Sequence, residues 1–511
     1  MRFRSAAQAC RHILLEKWVN DMPLKNRFRE DVFPFISALI FGLAAHMYML
    51  TNKLPVDDDI CFFFSKGATV RSGRYTLELL RLLMPDVSMP WIYGLMALLF
   101  ISAAVCLTVR LFSVKSSILK LMIAGLFITF PAETGTISYM FTCAPYALAL
   151  LMAIGSVYIF RECIGKLRWF ICILLLVLSC GIYQGYFAFA ASFCVLLLIK
   201  YLISGEKKPS AVFKDAVVML SLLLVSAGIY GLSVVLVGKL SAVPVLDVVN
   251  KEQGLLTRIG VAYSAYMHTF FSGYFAYVNT PFSRVLHLLL AALTAAGLVS
   301  FAVRSRDMHR VGLLALCVVL LPLASYCLYL LADNSYIHSL ALYPFASVYI
   351  LFVIVIENCL KDRRKVWRNV AAAAMALIIF TNIYFANSFY LRSQLQYENR
   401  KAFYTTMLTR VMQTEGFSAG SKLAIIGNVS SLEYDHDGSF DFSSFQLPGS
   451  NITSLTHAED IISIYLGCDI PFADEKECAA LAETEEVSDM PCYPYYGSVR
   501  SVGQYIIVKF E

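Results

Sequence analysis

Charge is what this sequence has least of: Asp, Glu, Lys and Arg make up 15% of its 511 residues, where a soluble domain carries about 25%. Two or three soluble domains of this combined length could not cover their surfaces with so few charges. That shortage excludes an ordinary cytosolic enzyme, a nucleic-acid-binding protein and a disordered chain. The signatures of common metal and nucleotide sites are missing as well. There is no HExxH, no P-loop, no GxGxxG leading out of a strand and no CxxC. His46, His268 and His338 lack metal-ligand spacing and read as interface residues. No internal repeat or low-complexity tract is present. A cleavable signal peptide is not expected, because the first 32 residues are polar, carry seven Lys/Arg and contain no apolar core.

What the sequence has in excess is apolar residues, 58% of the chain, with a mean hydropathy of +0.65. They lie in long runs, which defines a polytopic α-helical membrane protein. Eleven spans are expected, at 33–51, 91–112, 117–132, 143–160, 169–183, 186–203, 215–237, 285–303, 311–331, 341–357 and 369–388. With residues 1–32 inside and alternation thereafter, the inner segments hold 25 Lys/Arg and the outer loops 9, the bias of the positive-inside rule. Merging 169–203 into one helix would place the basic loops 161–168 and 200–214 on opposite sides, so two helices joined at Tyr183-Gln184-Gly185 are expected. The odd number of spans puts the C-terminus outside.

Three regions do not span. The outer loop 52–90 contains an amphipathic piece, Tyr75 to Met84, suited to lying at the interface. The outer loop 238–284 is rich in Tyr and Phe, residues of the headgroup layer. Residues 389–511 form an acidic soluble domain with 8 Lys/Arg and 17 Asp/Glu. A helix over about 392–414, a strand over 422–427 and a final strand over 504–510 predict a small α/β unit there. Thr456 to Glu459 fits a capping box opening a helix through Tyr465. Cys468, Cys478 and Cys492 lie outside, where a disulfide is chemically allowed but not assignable.

The residues able to carry chemistry cluster in the outer loops. Asp57-Asp58-Asp59 follows the first span. Such a carboxylate can take a proton from an attacking hydroxyl, or the run can be a solvated acidic turn. Arg71 and Arg74 follow in the same loop, with Lys53 and Lys66 nearby. An Arg fork matches phosphate oxygens; the alternatives are pairing with Asp57–Asp59 or anchoring to lipid headgroups. Glu133 sits at the outer end of the third span, either as a functional intramembrane carboxylate or as a helix end exposed to water. Gln184, in the Tyr183 turn, either bonds a sugar hydroxyl or ties off a helix.

In this order these motifs resemble the Gtr type-II glucosyltransferase family, membrane enzymes of the GT-C class that decorate bacterial surface polysaccharides such as O-antigen. The resemblance rests on Asp58-Asp59-Ile60 after the first span and on Gly73-Arg74-Tyr75. It rests also on Gly181-Ile182-Tyr183-Gln184-Gly185, on Tyr390 to Arg400 and on Tyr493-Pro494-Tyr495-Tyr496-Gly497-Ser498. Asp57 adds a third acid to the family's pair, and Tyr75 stands where Trp is common.

The resemblance implies a glucose donor carried on polyprenyl phosphate, a surface-polysaccharide acceptor, and transfer at the outer face of the bacterial plasma membrane. Asp58 or Asp59 then acts as base, and Arg74, helped by Arg71 or Arg258, binds the departing phosphate. Tyr75, Tyr183 and Gln184 are expected at the sugar or acceptor. Neither a cofactor nor a metal is expected, although an Asp cluster has the oxygen ligands for a divalent cation. The competing functions are a transporter or flippase for lipid-linked saccharides and a polysaccharide polymerase. A transporter calls for mid-span charges and an inverted repeat, and the sequence shows neither.

Overall fold

The computed structural model describes residues 24–55, 58–63, 67, 69–84, 87–245, 254–272, 281–330, 339–359, 365–418, 420–427 and 458–510. Asp57, Lys66, His338 and the expected cap at Thr456 lie outside the described residues, and so does the Asp58 side chain.

The chain is a bundle of apolar helices. Their order is α1 (Leu24–Thr51), the short α2 (Asp58–Cys61) and α3 (Tyr75–Leu80), α4 (Pro90–Leu111), α5 (Ser117–Ile128), α6 (Pro131–Ser138), α7 (Cys143–Glu162), α8 (Leu167–Ile182), α9 (Phe187–Ser204), α10 (Pro209–Leu240), α11 (Leu255–Met267), α12 (Pro281–Arg304), α13 (Met308–Ser325), α14 (Ser347–Cys359) and α15 (Lys365–Gln413). Among the described residues nine helices are long and apolar enough to cross a membrane, or ten with the bent pair α5–α6 counted as one span; α8 is a shorter apolar helix. Each expected span coincides with one of these. The 169–203 region is indeed two helices, separated by a single 3-10 turn at Gln184–Tyr186. At the centre stand α9 and the 340–359 segment, both largely buried, whereas α10 presents most of its surface outward, as a lipid-facing helix does.

The bend in α5–α6, 47°, has a covalent cause. Pro131 has no N–H to give to the Phe127 carbonyl one turn back. The Tyr343 hydroxyl donates to that carbonyl instead, at 2.8 Å. The Ile128 carbonyl is likewise taken by His46 Nε2 at 3.0 Å. A carbonyl only accepts, so Nε2 carries a proton, and in the neutral ring Nδ1 accepts from the Tyr390 hydroxyl at 2.8 Å. This corrects the interface reading of His46: it is wholly buried, satisfying a helix break inside the bundle.

Two further expectations change. No break separates the last span from the helix expected at 392–414; α15 runs 49 residues without interruption. Neither Gly nor Pro occurs between 365 and 413, so nothing in the backbone stops it. The amphipathic piece 75–84 is helical only to Leu80.

Beyond α15 a three-stranded sheet forms in the order β1 (Lys422–Ile426), β3 (Tyr505–Lys509), β2 (Val499–Val502), with β1 parallel and β2 antiparallel to β3. β1 and β3 fall where the sequence places strands. The helix α16 (Glu475–Ala482) opens with a capping box made by Asp474 and Glu477. The Lys422 ammonium, the Asp474 N–H and the Tyr505 hydroxyl donate to the Glu477 carboxylate at 2.8, 2.9 and 2.8 Å and hold its pKa down to about 2. Cys468, Cys478 and Cys492 are free thiols. The unit lies on the same side of the bundle as α2: Ile60 belongs to the core that Tyr404, Met407, Leu423 and Ile506 build, and the Tyr465 hydroxyl reaches the Asp59 carbonyl at 3.4 Å. A shared side requires an even number of crossings between α2 and this unit. The ten helical crossings from α4 to α15 meet that requirement when α5–α6 is one and α8 is one.

Candidate active site

Asp59 is fully buried. One carboxylate oxygen pairs with the Lys53 ammonium. The other accepts from the Ser88 hydroxyl at 2.8 Å and from the Phe141 backbone N–H at 3.2 Å. Lys53 also donates to Ser88, at 2.8 Å. Asp59 is therefore not part of a solvated turn, and its described cationic partner is Lys53 rather than Arg71 or Arg74.

Phe141 belongs to the turn between α6 and α7, and that turn links Asp59 to Glu133. All eight residues of α6 are buried although four of them, Glu133, Thr134, Thr136 and Ser138, are polar. Thr136 and Ser138 return their hydroxyls to carbonyls one turn back. Glu133, 1% exposed, has no hydrogen-bond partner for either oxygen among the described residues. The reading of Glu133 as a water-exposed helix end is thereby overturned. Tyr186, Tyr343 and Tyr390 lie within its electrostatic reach, and Cys143 lies within that of both Glu133 and Asp59.

Arg74 meets Tyr146, in the first turn of α7. Its guanidinium lies 5.8 Å from the Tyr146 ring centroid and 5.4 Å from that of Tyr183, and it donates to the Tyr146 hydroxyl at 2.8 Å. Those two rings stack at 4.4 Å. Two glycines let the segment in. Gly73 has φ +73°, and a Cβ there would come within 2.8 Å of the Tyr230 hydroxyl; a Cβ on Gly181 would meet the Thr76 hydroxyl at 2.1 Å. Gln184 donates to the Ser72 carbonyl at 2.7 Å and to Tyr230 at 2.8 Å. Its amide thus ties the 3-10 turn to the Gly73 loop. Tyr75 stacks on Tyr230 and accepts from Ser233 at 2.6 Å.

Asp59, Glu133, Arg74, Tyr183 and Gln184 thus gather around the 139–146 turn. Arg71 is exposed, and Arg258 donates to the Leu330 carbonyl at 2.9 Å. Sequence reasoning noted Lys53 only as a neighbour and missed Ser88, Tyr146 and Tyr230. Lys53 carried a signal, a lysine six residues before a buried acid. The others are single polar residues at helix ends or inside a span, and no local pattern marks them.

The arrangement offers two buried carboxylates, of which Glu133 has no hydrogen-bond partner among the described residues, and an arginine beside a stacked pair of tyrosines. Such a set can accept a proton and bind an anion. A family model described as Glucosyl transferase GtrII matches residues 47–356, a stretch that contains every residue of this cluster. No curated protein and no solved structure matches the chain.

Proposed function

The chain belongs to the GtrII glucosyl transferase family, and we propose that it transfers glucose from a polyprenyl-phosphate donor to a hydroxyl of a surface glycan at the outer face of the bacterial plasma membrane. The observation that carries this reading is the placement of acid and arginine along one stretch of the apolar bundle: the Phe141 N–H donates to Asp59, Arg74 donates to Tyr146 five residues further on, and Glu133 lies buried in the helix just before. A lipid-borne donor needs such a placement, because its tail stays among the helices while its phosphate lies at their ends. This reading takes the bundle as a GT-C enzyme and puts the unit of residues 420–427 and 458–510 outside, on the side of the site.

The acid run supplies the base. Asp59 already accepts a hydroxyl hydrogen from Ser88 at 2.8 Å, the geometry a base needs toward an acceptor hydroxyl. An acceptor that takes the place of Ser88 loses its proton to the carboxylate as its oxygen attacks the anomeric carbon. The bond from that carbon to the phosphate oxygen breaks in line, its electron pair leaves with the phosphate, and the configuration inverts. Arg74 stabilises the charge that develops on the departing phosphate. Lys53 pairs with the Asp59 carboxylate, and the proposed reaction uses no metal.

The test is Asp58→Asn and Asp59→Asn in membranes supplied with polyprenyl-phosphate glucose. A transferase loses glucosyl transfer while still binding the donor lipid. Full transfer by both variants would remove the acid run from the mechanism, and lipid-sugar movement without bond formation would mark a transporter.

A further inference from the structure

The Tyr493–Ser498 motif has no part in the cluster around the 139–146 turn, yet it lines a concavity of its own. This is an open groove of about 910 Å³ between the C-terminal end of α15 and the turn into β2, bordered by Arg410, Gln413, Glu415, Tyr495, Tyr496 and Arg500. Tyr495 is 72% exposed and Tyr496 102%, so two whole ring faces stand in solvent. They do so on a fixed frame. Arg410 donates to the Pro494 carbonyl at 2.6 Å and lies 5.0 Å from the Tyr493 ring centroid. The Tyr493 N–H donates to the Lys509 carbonyl at the end of β3 at 2.7 Å, and the Lys509 N–H donates to the Ser498 carbonyl at 3.0 Å. Between the two tyrosines and β2, Ser498 lines the groove with a hydroxyl that is buried and has no partner among the described residues.

Exposed aromatic rings ringed by donors and acceptors suit a sugar, which offers an apolar C–H face and a rim of hydroxyls. Arg410, Arg500 and Gln413 donate; Glu415 and Gln413 accept. Charge argues for a glycan over a membrane surface, since residues 389–511 carry a formal net charge of −9 and repel anionic headgroups. The groove is also well separated from the acids. Tyr397 of α15 packs on Tyr465, whose hydroxyl reaches the Asp59 carbonyl; Arg410 lies 13 residues further along, about 20 Å at 1.5 Å per residue.

We propose that this groove binds the acceptor glycan several sugar units away from the hydroxyl that receives glucose, so that the protein selects a polymer over a single repeat unit. The inference rests on the transferase reading for its occupant. Two contacts on one chain raise the effective concentration of the reacting hydroxyl without any new contact at the acids.

The test uses the full-length protein in lipid, polyprenyl-phosphate glucose, and surface polysaccharide of the host separated into long chains and single repeat units. For Tyr495→Ala with Tyr496→Ala, KM for long chains should rise about five- to tenfold, the loss of one good anchor, with kcat and all kinetics on single repeats unchanged. Unchanged KM on long chains, or equal losses on both acceptors, would overturn the proposal. Binding of the long fraction, measured calorimetrically without donor, gives a readout independent of transfer. If the wild-type chain transfers to neither acceptor, the transferase reading fails, and binding that is abolished by the double variant still supports the groove; equal binding by both proteins rejects it.

Discussion

Asp59 is wholly buried and ion-paired with Lys53, six residues earlier in the same loop, with Lys53 one-fifth exposed. The two ends of this pair are unequal. Lys53 can carry its ammonium to water along its own stem, whereas Asp59 cannot leave. Removing one partner of a buried pair costs about 3–5 kcal/mol when the other is trapped. Lys53→Met should therefore lower the thermal midpoint of the detergent-purified protein clearly more than Asp59→Asn does. Asn keeps an oxygen for Ser88 and the Phe141 N–H. Equal losses would mean that Lys53 is as trapped as its partner.

Asp59→Asn and Asp58→Asn should separate stability from chemistry. The variant that removes the base keeps its shape and loses about 10²–10⁴-fold in turnover, the usual worth of a general base. Asp57→Asn should be milder, because the resemblance to the family rests on the two acids beside Ile60. Single-turnover rates with saturating donor lipid decide between them. If both variants turn over normally, the base is elsewhere and Glu133 is the next residue to test.

Among the described residues Glu133 has no hydrogen-bond partner for its buried carboxylate, an arrangement that lowers stability and persists at functional sites. Glu133→Gln should leave the thermal midpoint unchanged or raise it, while glucosyl transfer falls at least about tenfold. A variant that is both less stable and fully active would make Glu133 a structural residue with a partner outside the described chain.

The Arg74 guanidinium lies beside the stacked Tyr146–Tyr183 pair, 5.8 and 5.4 Å from the two ring centroids. Lys keeps its charge but neither stacks flat nor forks. Arg74→Lys should reduce kcat more than it weakens donor binding, since the charge on the leaving phosphate grows in the transition state. Arg71→Lys, at an exposed position, should change both by less than about twofold. A pure loss of donor affinity in Arg74→Lys would place the arginine on the ground-state phosphate only.

The break between α5 and α6 gives a structural test. Tyr343→Phe removes the donor to the Phe127 carbonyl and should cost about 1 kcal/mol, a typical value for one such bond within a membrane bundle. His46→Ala removes the donor to the Ile128 carbonyl and the partner of Tyr390 and should cost more. Unfolding midpoints in one detergent compare the two directly.

Much of the bundle was legible because span length and Lys/Arg sidedness act locally. The split at Tyr183-Gln184-Gly185 followed from the charge of its flanking loops alone. The continuity of α15 was less visible: apolar residues give way to polar ones near Tyr390, and a change of solvent resembles a change of element. Asp59, Arg74 and Gln184 stood out in the sequence as candidates, but their partners did not. Lys53 and Ser88 meet Asp59 only through the fold of the 52–90 loop, and Tyr146 meets Arg74 across 72 residues. Glu133 shows the limit most clearly. The same Pro131 that bends the span turns its first polar helix inward, and hydropathy alone does not tell a bent span from one that ends at water.

The most direct measurement is glucosyl transfer by the purified full-length protein in lipid, supplied in turn with polyprenyl-phosphate glucose, other polyprenyl-phosphate sugars and a nucleotide-activated glucose, and with surface polysaccharide as acceptor. Glucose should enter the glycan only from the polyprenyl-phosphate donor, with inversion at the anomeric carbon, and the signal should vanish in Arg74→Ala. Transfer from the nucleotide donor, or undiminished transfer by Arg74→Ala, would contradict the assignment.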